Sequence, residues 1–164
     1  MTITLIDKHL QQIFGGIEPL TQNHPIHALP LLILVYSAID QLSWLVAEKD
    51  QHGPDEFKAW VNKYMKPEDT LHCTAEQMWA ARNGILHMGT AESRNTRKGV
   101  KKIGYFIGSA KTSTNDDYVL VSLDKLIARF MTVAMEFAED LKTSEHRVLA
   151  ESKLQHVFLL YRAT

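Results

Sequence analysis

The feature that most constrains the fold of this chain is its longest apolar stretch, residues 28–39, which ends at Asp40. Leu29, Ile33, Tyr36 and Trp44 recur at helical spacing along one stripe, and Asp40 belongs to the same stripe. The stretch is shorter than the roughly 18–20 apolar residues of a membrane-spanning helix. We therefore expect a helix of a globular protein here, with no membrane partner.

Composition supports that expectation. The chain has 164 residues, 45% of them hydrophobic and 23% charged, with a net charge of −1. This length suffices for one domain with a sizeable core. A single cysteine, Cys73, excludes an internal disulfide and a Cys-rich metal cluster and fits a reducing compartment. The start of the chain has no basic segment of a signal peptide, so we expect a cytoplasmic protein with one domain over residues 1–164.

The apolar periodicity predicts a mainly all-α fold, a helical bundle with one small β-hairpin. We expect the first helix to stop at Gly15-Gly16, Pro30 to lie in the first turn of the second helix, and Thr74 to cap the fourth with Gln77. The predicted helices span about 3–14, 29–50, 54–65, 74–88, 122–142 and 144–161. Residues 90–122 hold a basic loop and the hairpin, whose strands (102–108 and 117–122) are joined by a turn at 110–116.

The predicted helix 74–88 carries the residues most suited to chemistry. Asn83 and His87 are four residues apart and share a face, and the long side chain of Arg82 can curl toward the imidazole. Arginine can fork onto a phosphate, an amide can orient a ring nitrogen, and histidine can move protons near neutral pH. These are parts of a phosphodiester-cleaving site that needs no metal. By spacing alone, a surface helix with a partly exposed Arg82 and His87 explains the pattern as well.

Two further residues favour a functional site. Gly84 costs about 1 kcal/mol in mid-helix relative to Ala, and its missing side chain allows a backbone or a ligand to approach beside Asn83 and His87. Asp40 lies in an apolar stripe, where an unpaired carboxylate is costly, and Arg82 is a plausible partner. The alternatives for Asp40 are partial exposure at one end of the bundle or a hydrogen bond from a Tyr or Trp donor.

The motif from Arg82 through Asn83 to His87, on a later helix of a small bundle, resembles that of HEPN domains (higher eukaryotes and prokaryotes nucleotide-binding). An aromatic and an acidic residue on a preceding helix, Tyr36 and Asp40, extend the similarity. Many members are metal-independent endoribonucleases that act as toxins or in defence against phage and plasmids, while others are not nucleases. The resemblance implies that Arg82 and His87 are catalytic, that Asn83 supports His87, and that no cofactor or metal is needed. It also implies a homodimer with the active site at its interface, and an antitoxin protein as the partner of a toxin.

The second constellation is a basic segment directly after the motif helix. Residues 94–102 contain five cations and no acid: Arg94, Arg97, Lys98, Lys101 and Lys102. The rest of the chain has 13 Lys and Arg against 19 Asp and Glu, so the protein is an acidic body with one basic segment. Such a loop can bind an RNA backbone beside the motif, and the alternative is a solvated surface loop. His72 and Cys73 could ligate a metal, but no second pair has suitable spacing.

These observations leave three hypotheses. The first is an endoribonuclease in which the 2′-hydroxyl of RNA attacks the adjacent phosphorus and leaves a 2′,3′-cyclic phosphate. His87 moves protons, Arg82 stabilises charge, Asn83 and Asp40 support them, and the basic segment binds RNA. The second is a non-catalytic HEPN-like module that binds a nucleotide, RNA or a protein. The third is a helical interaction protein in which the motif is coincidental.

Overall fold

The computed structural model describes residues 4–22, 24–48, 52–90, 92–108 and 117–157. Over these residues the chain is mainly helical with one small two-stranded sheet, which confirms the predicted fold class. The helices are α1 (Leu5–Thr21), α2 (His24–Leu45), α3 (Pro54–Trp60), α4 (Pro67–Thr70), α5 (Ala75–Met88), α6 (Leu123–Thr143) and α7 (Arg147–Leu154), and the strands are β1 (Lys102–Phe106) and β2 (Tyr118–Ser122). A π-helical turn (Val61–Met65) follows α3, and a 3-10 turn (Thr96–Lys98) precedes β1.

The apolar helix α2 lies at the centre of the fold. It packs against α1, α3, α5, α6 and α7, and Leu31, Val35, Ile39 and Leu42 on it are fully buried. By length and composition alone, Ile26–Leu45 could cross a membrane, but half of this window is buried by the rest of the protein. The core helix of a soluble protein has this property, and the chain folds around α2 as a globular domain.

Helix α1 continues past the glycines at which it was expected to stop. It begins with a capping box between Thr4 and Asp7 and runs to Thr21. Each glycine costs about 1 kcal/mol in a helix, but Ile17, which follows them, is fully buried. Burying an isoleucine stabilises by about 1.5–3 kcal/mol, which offsets the roughly 2 kcal/mol cost of the two glycines, and Leu20 also packs against the core.

Helix α2 begins at His24, five residues earlier than predicted, so Pro30 lies inside the helix and not in its first turn. Proline removes the hydrogen bond to the carbonyl four residues back, here that of Ile26. Pro30 and Ile26 are both exposed, so water can hydrate this carbonyl. The helix also ends earlier than expected, at Leu45, and residues 49–51 lie outside the described part.

The two strands pair in parallel, with Lys102 opposite Tyr118 and Phe106 opposite Ser122. The prediction of a hairpin is therefore wrong in its topology, because a hairpin joins antiparallel strands. Parallel strands need a crossover of about a dozen residues, and residues 107–117 supply a connection of that length. The predicted turn at 110–116 lies outside the described residues.

The remaining predicted elements agree more closely with the structure. Helix α3 and its π-helical turn cover the predicted 54–65. Thr74 and Gln77 form the expected capping box of α5, and Ser122 caps α6. Helix α7 ends at Leu154, and the predicted extension beyond residue 157 falls outside the described part. Helix α4, a single turn after Lys66, was not predicted.

Candidate functional site

An ion pair between Asp40 and Arg82 joins α2 to α5. Oδ2 of Asp40 accepts hydrogen bonds from Nε of Arg82 at 2.7 Å and from Nη2 at 2.5 Å. The side chains are only 16% and 18% exposed, respectively. The predicted pairing with Arg82 is confirmed, and among the described residues no Tyr or Trp donor bonds to Asp40, which is partly exposed.

The guanidinium of Arg82 also contacts both other polar residues of the motif. Its Nη1 donates to Oδ1 of Asn83 at 3.0 Å and to Nε2 of His87 at 3.2 Å. On its other side it lies 5.0 Å from the ring of Trp79, a cation–π contact. Arginine has five N–H groups, and this geometry uses one on Nε, one on Nη2 and both on Nη1. One N–H on Nη2 remains for a ligand.

His87 is the exposed member of this cluster. Because arginine can only donate, Nε2 of His87 must accept in the contact with Arg82, which requires a neutral ring with its proton on Nδ1. Asn83 is fixed by the same guanidinium through its carbonyl oxygen, which orients its NH₂ group away from Arg82. Asp40 therefore fixes Arg82, and Arg82 fixes the orientation of both Asn83 and His87.

A second histidine, His52, lies near Asp40 and was not singled out in the sequence. Its Nε2 is 2.6 Å from Oγ of Ser43. Burial lowers the pKa of His52, while the carboxylates of Asp40 and Glu56 act in the opposite direction. Oδ1 of Asp40 is buried and accepts no hydrogen bond from the described residues. His52 therefore interacts electrostatically with the ion pair of Asp40 and Arg82. No local sequence pattern indicated this interaction.

A surface groove of about 490 Å³ lies beside the motif. It is lined by two predicted catalytic residues, two predicted RNA-binding residues and two polar residues that sequence reasoning missed: Asn83, His87, Arg94, Arg97, Ser93 and Asn95. The groove thus brings the motif and the first part of the basic segment together. Arg94 and Arg97 are exposed and form no ion pair with any described residue.

The other three basic residues do not line this groove. Nζ of Lys102 bonds to Oε1 of Glu92 at 2.8 Å and lies over the ring of Tyr118, and the hydrogen bond to Glu92 raises the pKa of Lys102. Lys98 and Lys101 are exposed outside the groove. The structure therefore divides the basic segment, and only Arg94 and Arg97 lie beside His87.

Gly84 allows the close approach expected at its position, and the approaching group is the chain itself. The amide of Thr90 donates to the carbonyl oxygen of Gly84 at 3.3 Å. A Cβ on Gly84 would clash with the carbonyl oxygen of Thr90 and would lie 2.8 Å from that of Glu92. The glycine is thus required where the chain at Thr90 and Glu92, just before the basic segment, folds back over α5.

Metal-ligating side chains do not cluster in the described ranges, where no three His, Cys, Asp or Glu residues come together. Cys73 is buried, and burial raises the pKa of its thiol to about 12. It packs in the core, as expected for the apolar residue that precedes the cap of α5.

Compared with protein-family models, with curated proteins and with solved structures, the chain matches none of them. The geometry of α2, α5 and the basic segment is therefore what bears on function.

Proposed function

We propose that this protein is a HEPN-like, metal-independent endoribonuclease whose active site contains Arg82, Asn83 and His87. The observation that carries the proposal is the convergence of one guanidinium, one amide and one exposed imidazole through direct hydrogen bonds, beside a groove lined by two exposed arginines. Phosphodiester cleavage needs a proton-transfer group and a cation at the phosphate. Both are present within one turn and a half of α5.

In the proposed reaction, the ribose 2′-oxygen forms a bond to phosphorus and the bond from phosphorus to the 5′-oxygen breaks. His87 of one protomer accepts the proton of the 2′-hydroxyl, and the protonated His87 of a second protomer delivers a proton to the leaving 5′-oxygen. Nε2 of His87 exchanges its contact with Arg82 for the hydroxyl, which frees an N–H of Arg82 for a non-bridging oxygen. Asn83 and Asp40 hold the two groups in place.

We also propose that the protein acts in the cytoplasm as a homodimer in which two copies of His87 serve as base and acid. A row of exposed apolar residues on α2 supports this: Ile26, Leu29 and Ile33 are 79%, 44% and 37% exposed. Their spacing puts them on the helical face that also carries Asp40. A toxin or defence role, with an antitoxin protein as partner, is what the resemblance of the motif to HEPN domains implies, and we propose it on that basis.

A cleavage assay tests the proposed function. Single-stranded RNA and DNA of one sequence are incubated with the protein in excess EDTA. We expect cleavage of RNA only, and a rate reduced roughly 10²–10⁴-fold in His87→Ala and 10²–10³-fold in Arg82→Ala. His156→Ala, which replaces an exposed histidine beyond α7, is the matched control and should retain full activity. Loss of activity in EDTA, or equal activity in all variants, would contradict the proposal.

A non-catalytic RNA-binding or nucleotide-binding module is the second candidate. Its supporting observation is that Arg82 already gives four N–H groups to protein acceptors, a structural use of that side chain. In that case wild type and His87→Ala both bind RNA and neither cleaves it.

A further inference from the structure

The segment that carries Arg94 and Arg97 is held firmly against α5. We call residues 92–98 the arginine turn. At its start, the carbonyl of Glu92 packs on Gly84, and the carboxylate of Glu92 bonds to Lys102 on β1. The turn therefore begins at a point fixed by both α5 and β1.

Inside the turn, Ser93 and Thr96 bond to each other in both directions. The amide of Ser93 donates to Oγ1 of Thr96 at 2.9 Å, and the amide of Thr96 donates to Oγ of Ser93 at 3.3 Å. Ser93 is 3% exposed, and the 3-10 turn that follows contains Arg97. This bonding fixes the backbone between the two arginines.

The arginine turn is also attached to Glu76, in the first turn of α5. Its Oε1 accepts from Nδ2 of Asn95 at 2.9 Å, and its Oε2 accepts from Nζ of Lys58 on α3 at 3.0 Å. The hydrogen bond from Lys58 is the main cause that lowers the pKa of Glu76, and the bond from Asn95 adds to it. Asn95 stands between Arg94 and the 3-10 turn, so Glu76 holds the middle of the arginine turn.

We infer that Glu76 is a positioning residue for substrate: through Asn95 it presents Arg94 and Arg97 as a pre-built site for a backbone phosphate of single-stranded RNA. The inference rests on the proposed function, because it assigns the groove beside His87 to the strand that is cut. A phosphate bound there lies next to the one that reacts, so the turn sets which phosphodiester reaches His87. Glu76 itself does not contact the RNA.

Whether removal of Glu76 strengthens or weakens RNA binding distinguishes a positioning role from a long-range effect of its charge. Glu76 is a carboxylate near an anion site, so its removal should strengthen RNA binding if only long-range charge mattered. Positioning gives the opposite result, because Asn95 loses its acceptor and the arginines are no longer held in place. Glu76→Gln keeps an acceptor for Asn95 while it removes the charge, and should therefore bind at least as tightly as wild type.

The test measures anisotropy of a fluorescent 2′-O-methyl RNA, which lacks the attacking hydroxyl, so that binding is observed without cleavage. We expect Glu76→Ala and Asn95→Ala each to weaken binding roughly fivefold to tenfold, and the double variant no more than either single one. Their salt dependence should match wild type, since no phosphate contact is lost. Arg94→Ala should reduce the slope of log affinity against log salt by about 0.7.

Arg147→Ala, which removes an arginine on α7, is the control and should bind as wild type does. Thermal melting of each variant confirms folding. Tighter or unchanged binding by a folded Glu76→Ala overturns the inference, as does absence of binding by wild type. If the binding pattern holds and RNA is not cleaved, the role of Glu76 in RNA binding stands, and the nuclease proposal and the selection of a phosphodiester for His87 fail.

Discussion

At the scale of single residues, Arg82 has three polar neighbours at once, so a change in any of them alters the others. Asp40 supplies the opposite charge, and Asn83 and His87 each accept one N–H of Nη1. Sequence reasoning could predict the pair because an acidic residue in an apolar stripe needs a partner. It could not predict that one guanidinium contacts all three side chains, because that depends on how close α2 and α5 approach.

Substitution of Asp40 by alanine should lower the free energy of unfolding by about 3 kcal/mol, since it leaves Arg82 largely buried without its counter-ion. Equilibrium unfolding in urea measures the loss. The double variant Asp40→Leu with Arg82→Met should recover much of the stability, because no buried charge is left unpaired, yet it should not regain RNA cleavage. An Asp40→Ala protein as stable as wild type would contradict the structural role of the pair.

His9 gives a prediction about pH. It is 5% exposed on α1, and burial lowers its pKa below the ordinary value of 6.5, partly opposed by a hydrogen bond with Gln41. Below pH 6.5 the unfolded chain binds a proton at His9 that the folded protein does not, so stability falls as pH falls. Above pH 6.5 His9 is neutral in the folded and the unfolded protein, and this loss of stability is absent.

Urea midpoints of wild type and His9→Gln at pH 7.5, 6.5 and 5.5 test this. We expect the wild-type midpoint to fall more steeply between pH 6.5 and 5.5 than that of the variant. Comparison of the two proteins removes the background from other histidines, including His52. Parallel pH profiles would show that His9 is not buried in its neutral form.

At the scale of elements, local signals identified helices well and their ends less well. N-terminal caps and apolar periodicity identified α5 and α6, whose first residues are set by local chemistry. The end of α1 was missed because tertiary packing of Ile17 and Leu20 offsets the cost of the two glycines. The parallel pairing of β1 and β2 was missed because strand direction depends on the path of the connection, and two short β-like runs carry no signal of it.

Two glycines in helices provide a matched pair of substitutions. A Cβ on Gly15 in α1 meets nothing within 4 Å, whereas a Cβ on Gly84 in α5 collides with the backbone at Thr90 and Glu92. Gly15→Ala should therefore stabilise the protein by roughly 0.5–1 kcal/mol. Gly84→Ala should destabilise it, and should also weaken RNA binding because the arginine turn is displaced.

Thermal melting and the anisotropy assay measure both effects. A stabilised Gly84→Ala with unchanged RNA affinity would mean that the fold-back over α5 does not position the arginines.

At the scale of the whole molecule, the near-zero net charge hides an uneven distribution. The charge is also unevenly distributed within the basic segment. Lys102 is paired with Glu92, and only Arg94 and Arg97 of the segment line the groove. Sequence could indicate the segment but not which of its cations meet the motif. That selection depends on the way the chain folds back at Gly84 and on the bond between Asn95 and Glu76.

The exposed row on α2 predicts self-association. Ile33→Glu places a charge on the apolar face at a site that is already 37% exposed, so the monomer should keep its fold. We expect sedimentation equilibrium to show a dimer for wild type and a monomer for the variant, with RNA cleavage lost in the monomer. A wild-type protein that is monomeric at assay concentrations, or an active Ile33→Glu monomer, would refute the dimeric site.

The most direct test of the central claim uses a DNA oligonucleotide that contains one ribonucleotide, incubated with the protein in EDTA. We predict a single cut, directly 3′ of the ribonucleotide, with a 2′,3′-cyclic phosphate on one product and a 5′-hydroxyl on the other, and no cut by His87→Ala. Mass spectrometry of the two products identifies these ends. A 3′-hydroxyl product, cleavage at deoxyribonucleotides, or an intact oligonucleotide would contradict the proposed role of Arg82 and His87.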